Sequence, residues 1–274
     1  MKKYVISLAI LATLLTSCAS EFNRVYKTTD NDYKYEFAKE CFARGKFTQA
    51  ITLLQELVTI QKGTDNAQEC LYMLAMAEYC DRDYESASET FKKYYQTYPK
   101  GIYAEQAAFY IGQSLYQSTP EPRLDQTATV NAISAYQDFL DFFPESQLKA
   151  KASSRMFELT DKLVLKEYLS AKLYYNLGDY FGNCTNGGSN FEACIVTSEN
   201  ALKTYPFTTM REQFAVLIMK SKYELARQSV EEKKIERYRD AEDECYGFIN
   251  EYPESVERKT AERYIKKCKE ITKD

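Results

Sequence analysis

The chain has 274 residues, no histidine, no tryptophan and a formal net charge of −4. The lack of histidine removes imidazole from any catalytic triad or zinc site, and neither a CxxC pair nor a glycine-rich phosphate loop after a strand pattern occurs. The mild acidity disfavours nucleic acid as a partner. We therefore expect a binding protein that is not an enzyme and holds no metal or cofactor.

Residues 1–17 are predicted to form a cleaved export signal. Lys2 and Lys3 precede an apolar run from Val5 to Leu15, which is too short to cross a bilayer core of about 30 Å as a helix. The run leads into Thr16-Ser17-Cys18, an ending typical of the bacterial lipobox. We expect Cys18 to carry several acyl chains, because one chain alone anchors only marginally. An ordinary secretory signal with a chance cysteine is the alternative.

Beyond a tether at residues 18–30, the chain repeats itself. An aromatic residue stands three positions before an alanine in Phe47–Ala50, Tyr84–Ala87 and Tyr238–Ala241. A proline stands twelve residues after this alanine position in four repeats, with cysteine replacing alanine in one of them: Ala87 to Pro99, Ala132 to Pro144, Cys194 to Pro206, and Ala241 to Pro253.

The residues four and seven positions after the alanine position lie on the same face of a helix. In chain order these pairs are Leu54 and Leu57, Phe91 and Tyr94, Tyr136 and Phe139, Ser198 and Ala201, and Cys245 and Phe248. Partner helices are predicted at Gln68–Tyr79, with Leu71, Leu74 and Ala75 on one side, and at Leu165–Leu177, with Leu169, Leu173 and Asn176 on one side.

Helix, turn, helix and proline is the tetratricopeptide unit. The sequence therefore predicts an all-α tetratricopeptide solenoid of about five units in a right-handed superhelix. Repeats 1–3 are expected over residues 31–164 and repeats 4–5 over residues 165–274.

Two insertions interrupt the repeats, at Ser118–Thr129 and Gly178–Asn190. Inserted loops in solenoids often crowd the binding face, although solvated turns without a partner are an equal alternative. Seven cysteines follow Cys18, so they cannot all pair internally. Cys184 and Cys194 flank the Gly-rich stretch Thr185–Asn190 and are placed to form a disulfide, but burial as small apolar residues is the expectation for most of the cysteines.

The chain contains 24 tyrosines, a residue that offers apolar area together with a hydroxyl group. We take Tyr33, Tyr35, Tyr72, Tyr174 and Tyr175 as candidate partner-binding residues. Packing between helices is the alternative for each of them.

The lipobox cysteine, the closing Tyr-Pro and Phe-Pro pairs, and the run from Leu159 to Tyr180 together resemble the BamD family. These are lipoproteins of the machinery that assembles outer-membrane β-barrels. Asp125-Gln126 ahead of a helix ending in Phe142-Phe143-Pro144 is similar to that family's inserted segment.

The resemblance implies a scaffold on the periplasmic face of the outer membrane, held there by lipidated Cys18. It implies two partners, a BamA-like Omp85 barrel protein at the C-terminal repeats and unfolded outer-membrane proteins at the N-terminal repeats. Another tetratricopeptide lipoprotein, one that coordinates division or secretion, is the main alternative. A glycan-binding nutrient receptor is disfavoured, since such receptors use exposed tryptophan.

Overall fold

The computed structural model describes residues 21–178, 180 and 189–272. Cys18 and most of the second insertion lie outside these residues. In the described part of the chain, a short helix at residues 21–26 precedes eleven longer ones. They are α1 (Asn31–Ala43), α2 (Phe47–Ile60), α3 (Ala67–Cys80), α4 (Tyr84–Thr97), α5 (Ala104–Ser118), α6 (Thr127–Phe142), α7 (Lys149–Leu177), α8 (Asn190–Thr204), α9 (Arg211–Arg227), α10 (Glu231–Glu251) and α11 (Arg258–Thr272).

The helices form sequential hairpins, as tetratricopeptide units do. Each helix from α1 to α5 packs on the next one along the chain, and so does each helix from α8 to α10. Turns of three residues join α1 to α2, α3 to α4, and α9 to α10. The all-α repeat architecture with five helix pairs is confirmed, while the handedness of the superhelix stays a prediction. Helix α11, which follows the last pair, was not predicted.

The alanine position of every repeat is fully buried: Ala50, Ala87, Ala132, Cys194 and Ala241. The residues four and seven positions later are buried as well in all five repeats. A small side chain is required at the alanine position because the neighbouring helix approaches closely there. The predicted helix faces of the five closing helices, and that of α3, are therefore confirmed.

The prolines end the closing helices by a shared geometry. The residue before each proline donates its backbone N–H to the carbonyl four residues earlier at 2.8–2.9 Å, and its ψ of 60–67° leaves the helical range. Proline disfavours helical ψ in the preceding residue, which is why the helix ends there. These four residues are Tyr98, Phe143, Tyr205 and Tyr252.

The chain divides into two compact units. Unit 1 comprises the described residues of Met1–Pro120 and Gln126–Leu159, and unit 2 comprises those of Glu121–Asp125 and Thr160–Asp274. The first insertion is thereby split, since its residues 121–125 pack with unit 2. The border between repeats 3 and 4, expected after residue 164, stays a prediction.

Helix α7 differs from its prediction in length and in its buried face. The helix is continuous from Lys149, so the predicted start at Leu165 is wrong. Its predicted inner face is also wrong, since Leu173 is 57% exposed while Val164 and Ala171 are buried. The two stripes share one helical period, so periodicity alone does not decide between them. The tyrosine-lined stripe, with Tyr168 and Tyr175 half-buried, packs in a core cluster with residues of α8 and α9.

None of the described helices is both long enough and apolar enough to cross a membrane.

Candidate functional site

Two of the five candidate tyrosines are accessible. Tyr33 is 42% exposed in the first turn of α1, where its backbone N–H donates to Asp30 Oδ1 at 3.0 Å. Tyr174 is 36% exposed on α7. Both are placed to meet a partner, and their roles stay predictions.

The other three tyrosines are packing residues. Tyr35 is only 2% exposed, and burial raises the pKa of its phenol. Tyr72 is half-buried and stacks on Tyr103 with ring centroids 4.4 Å apart; burial raises its pKa to about 12. Tyr175 is half-buried and meets Phe191 edge to face at 5.9 Å. We therefore remove Tyr35 and Tyr72 from the candidate set and retain Tyr175 only as a border of a cleft in unit 2.

The candidate tyrosines do not form one cluster. No aromatic contact in the described part of the chain joins any two of the five. The accessible grooves are built mainly from other residues.

The larger groove lies in unit 1 between α4 and α6, with α5 beneath them, and has a volume of about 690 Å³. We call it the α4–α6 groove. Its floor is apolar, formed by Ala108, Ile111 and Leu115 of α5 and by Phe139 of α6. Small side chains on the walls leave the floor accessible, among them Ser88, Ser134 and Ala135.

Aromatic side chains close one end of the α4–α6 groove. Tyr95 of α4 and Phe142 of α6 have ring centroids 6.2 Å apart, and Phe142 is 65% exposed. Glu89, Lys92 and Asp138 add charges of both signs. The groove can therefore receive apolar side chains while its rim offers ionic and hydrogen-bonding groups.

Phe142 was not identified from the sequence, although a signal for it exists. The residue two positions before the closing proline is Thr97, Thr204 or Glu251 in the other proline-ended repeats. In the third repeat it is phenylalanine, and the adjacent Phe143 already fills the packing role by stacking on Phe139 at 5.6 Å. An apolar residue at an otherwise polar repeat position indicates a surface role.

A second groove, of about 460 Å³, lies in unit 2 along the C-terminal half of α7. We call it the α7 groove. It is lined by Arg123 of the first insertion and by residues of α7: Lys166, Leu169, Ser170, Lys172, Leu173 and Asn176. Lys166 Nζ donates to the Leu124 carbonyl at 3.2 Å, which ties the insertion to the helix. The sequence prediction missed this groove because it assigned Leu169 and Leu173 to the core.

Carboxylate and cysteine side chains are present throughout the described residues. No group of histidine, cysteine and carboxylate side chains among them is arranged to hold a metal ion. Cys80 is exposed, whereas Cys41, Cys70, Cys194, Cys245 and Cys268 are buried. Burial raises the pKa of the Cys194 thiol. Cys184 lies outside the described residues, so its pairing with Cys194 stays a prediction.

Comparison with known proteins relates the chain to outer-membrane lipoproteins. The family model YfiO, described as an outer membrane lipoprotein, matches residues 27–186, which is more than half of the chain. The outer membrane protein assembly factor BamD of Caulobacter vibrioides is 22% identical over 177 residues, covering 63% of this chain and 58% of the relative. The putative BamD of Aquifex aeolicus is 26% identical over 136 residues, covering 50% and 43%. The matches thus span about half the length of these relatives.

Among solved structures, the TPR2AB-domain:pHSP90 complex of yeast Sti1 aligns with a TM-score of 0.42 and 16% identity, covering 89% of this chain and 84% of that one. The family is established by the sequence match, which includes the first three repeats and all of α7. The chain belongs to the YfiO family of outer membrane lipoproteins, the family whose curated relatives carry the name BamD.

Proposed function

We propose that this protein is an assembly factor for outer-membrane proteins, acting as a non-enzymatic scaffold. The observation that carries the proposal is the family match across the helical repeats, since two curated relatives are described as BamD assembly factors. The exposed grooves support a binding role, because repeat proteins use such surfaces to hold partners. The scaffold would bind a BamA-like Omp85 barrel protein through its C-terminal repeats and unfolded barrel proteins through its N-terminal repeats.

The proposed attachment is through acylated Cys18 to the periplasmic face of the outer membrane. Cys18→Ala is expected to release the protein into the soluble periplasmic fraction, since no other anchor is proposed. Cys80→Ala is the matched control, because Cys80 is an exposed thiol outside the lipobox. Membrane retention of the Cys18→Ala protein at the control level would contradict a single lipid anchor.

The α4–α6 groove is the proposed contact for unfolded barrel segments. Strands of outer-membrane barrels alternate apolar and polar residues and carry aromatic girdles. Such a segment fits a groove with an apolar floor, two aromatic rings and a charged rim. The groove would hold the segment without any bond being made or broken.

Affinity capture from solubilised envelopes tests the function as a whole. We expect recovery of an Omp85-type barrel protein, and recovery of a division or secretion complex without one would favour the alternative coordinator. A finer test is the substitution Phe142→Thr. It gives the third repeat a threonine two positions before the closing proline, as at Thr97 and Thr204 in the second and fourth repeats. This should weaken binding of an unfolded barrel protein about tenfold, the effect of losing one aromatic anchor. Phe207→Thr, at a 96% exposed position in unit 2, is the control and should leave binding unchanged.

A further inference from the structure

The α7 groove combines cations with exposed aliphatic side chains. Arg123, Lys166 and Lys172 line it, and no carboxylate is among its lining residues. This local excess of positive charge runs against the chain as a whole, whose net charge is −4. A groove of this composition attracts negative charge.

The three cations have no carboxylate partner in the described part of the chain. Lys166 donates to the Leu124 carbonyl, and Lys172 lies 5.8 Å from the centre of the Tyr168 ring. Acidic residues stand near them in the sequence, at Glu121, Asp125 and Glu167, but none of these lines the groove. Among the described residues, therefore, no ion pair neutralises the positive ends of these three side chains.

The leucine side chains of the groove are also accessible. Leu173 is exposed on α7, and Leu169, one turn earlier, is half-buried on the same face. Helix faces that carry leucine at this spacing usually bury it, as the sequence prediction had assumed. Here the side opposite to them is the one that packs, through Val164 and Ala171.

We propose that the α7 groove is a docking site for an acidic protein segment that presents an aliphatic side chain between carboxylates. The aliphatic side chain would lie against Leu169 and Leu173, and the carboxylates would pair with Lys166, Lys172 and Arg123. Charge complementarity supplies orientation, and the apolar contact supplies buried area. The proposal does not depend on the assembly function, since it concerns the chemistry of the segment and not the complex to which the segment belongs.

Site-specific photo-crosslinking in cells tests this docking site. A benzophenone amino acid replaces Leu173 in the full-length chain, and the residues bound to it are mapped by mass spectrometry. We expect an adduct with a protein segment that has aspartate or glutamate beside the crosslinked residue. The same probe at Val196, an exposed position on α8 of unit 2, is the control for adducts formed by chance.

Charge variants test whether the lysines of the groove are needed to bind the acidic segment. Lys166→Glu with Lys172→Glu should lower the adduct yield about tenfold, because attraction becomes repulsion, whereas the two Lys→Arg changes should preserve it. The variant positions are outside the core, and circular dichroism checks that the helices remain.

The crosslinking experiment would overturn the proposal by giving an undiminished adduct in the charge-reversed chain, a crosslinked segment without carboxylates, or no protein adduct at Leu173. Vesicles of phosphatidylglycerol test the lipid alternative with the Cys18→Ala protein. Vesicle binding that the charge reversal abolishes would assign the groove to lipid headgroups and overturn the peptide assignment.

Discussion

The third and fourth repeats form the same kind of helix pair, but their closing helices bury side chains of very different size. In the third repeat, the closing helix α6 buries Tyr136 and Phe139 after its alanine position. In the fourth, α8 buries Ser198 and Ala201 at the corresponding positions.

In the fourth repeat, aromatic rings from other helices supply the volume that α8 lacks. Tyr168 of α7 meets Phe214 of α9 edge to face at 5.7 Å, and both belong to the core cluster of α8. The repeat pattern thus determines which positions are buried, whereas the size of the residue at each position is free to vary if a neighbour compensates.

The largest expected effect comes from emptying the aromatic core of the third repeat. Phe139→Ala removes a buried ring that contacts Phe109 at 5.5 Å and Phe143 at 5.6 Å, so we expect a loss of about 3–5 kcal/mol in the free energy of unfolding. Ser198→Ala in the fourth repeat is the matched change, expected to alter stability by no more than about 1 kcal/mol. Urea unfolding followed by circular dichroism measures both. Equal losses would mean that the two repeats do not differ as described.

A smaller effect is expected from adding one methyl group next to Tyr136. A Cβ atom at Gly112 would lie 2.9 Å from the Tyr136 ring, which is itself fully buried. Gly112→Ala should therefore cost about 1–3 kcal/mol in spite of the better helix propensity of alanine. A Cβ atom at Gly247 in α10 would meet no neighbouring atom within 4 Å. Gly247→Ala should therefore increase the free energy of unfolding by about 0.5–1 kcal/mol. Thermal unfolding of both variants measures these changes in stability. A stabilised Gly112→Ala protein would show that the third repeat is loosely packed.

The smallest effect concerns Glu78, a carboxylate buried in the second repeat. Burial raises its pKa, and its Oε2 atom has no hydrogen-bond partner in the described structure. In unit 2, by contrast, Glu244 is half-buried but pairs with Lys222 at 2.7 Å. An acid whose pKa is higher in the folded state binds its proton more tightly there, so stability declines as the pH rises from its ordinary value of 4.5 through the raised folded value.

Glu78→Gln should remove this decline and raise stability near pH 7 by about 1 kcal/mol. The gain should shrink as the pH falls toward 4.5. Urea midpoints measured across this pH range test the sign, with Glu254→Gln as an exposed control. A pH-independent gain would point to packing instead of ionisation.

Much of the fold could be read from the sequence because its signals are local. The alanine position, the residues four and seven places later, and the proline ending each reflect contacts within one hairpin or with its neighbour. Helix α7 could not be predicted in the same way. Its two candidate stripes have the same period, and the choice between them depends on Phe191, Cys194 and Phe214, which are distant in the sequence.

The candidate sites were harder to predict than the fold, for a related reason. Tyrosine content indicates area with a hydroxyl group but not whether neighbours cover it, and Tyr35 and Tyr72 are covered. Phe142 and the Leu169–Leu173 face are accessible only because Phe143 and Ala171 respectively occupy the packing positions. Surface roles of this kind emerge from what neighbouring residues leave exposed.

In an oxidising compartment, folding would have to bury the cysteine thiols before they are oxidised. In the folded chain, Cys70 and Cys245 have pKa values raised to about 12 by burial, so their reactive thiolate forms are scarce. Before the repeats close, the same thiols are open to oxidants and to one another. In an oxidising compartment, a variant that closes its repeats slowly would accumulate mispaired disulfides even if its final stability were normal. Burial of cysteine at a repeat position therefore ties the yield of the protein to its speed of folding.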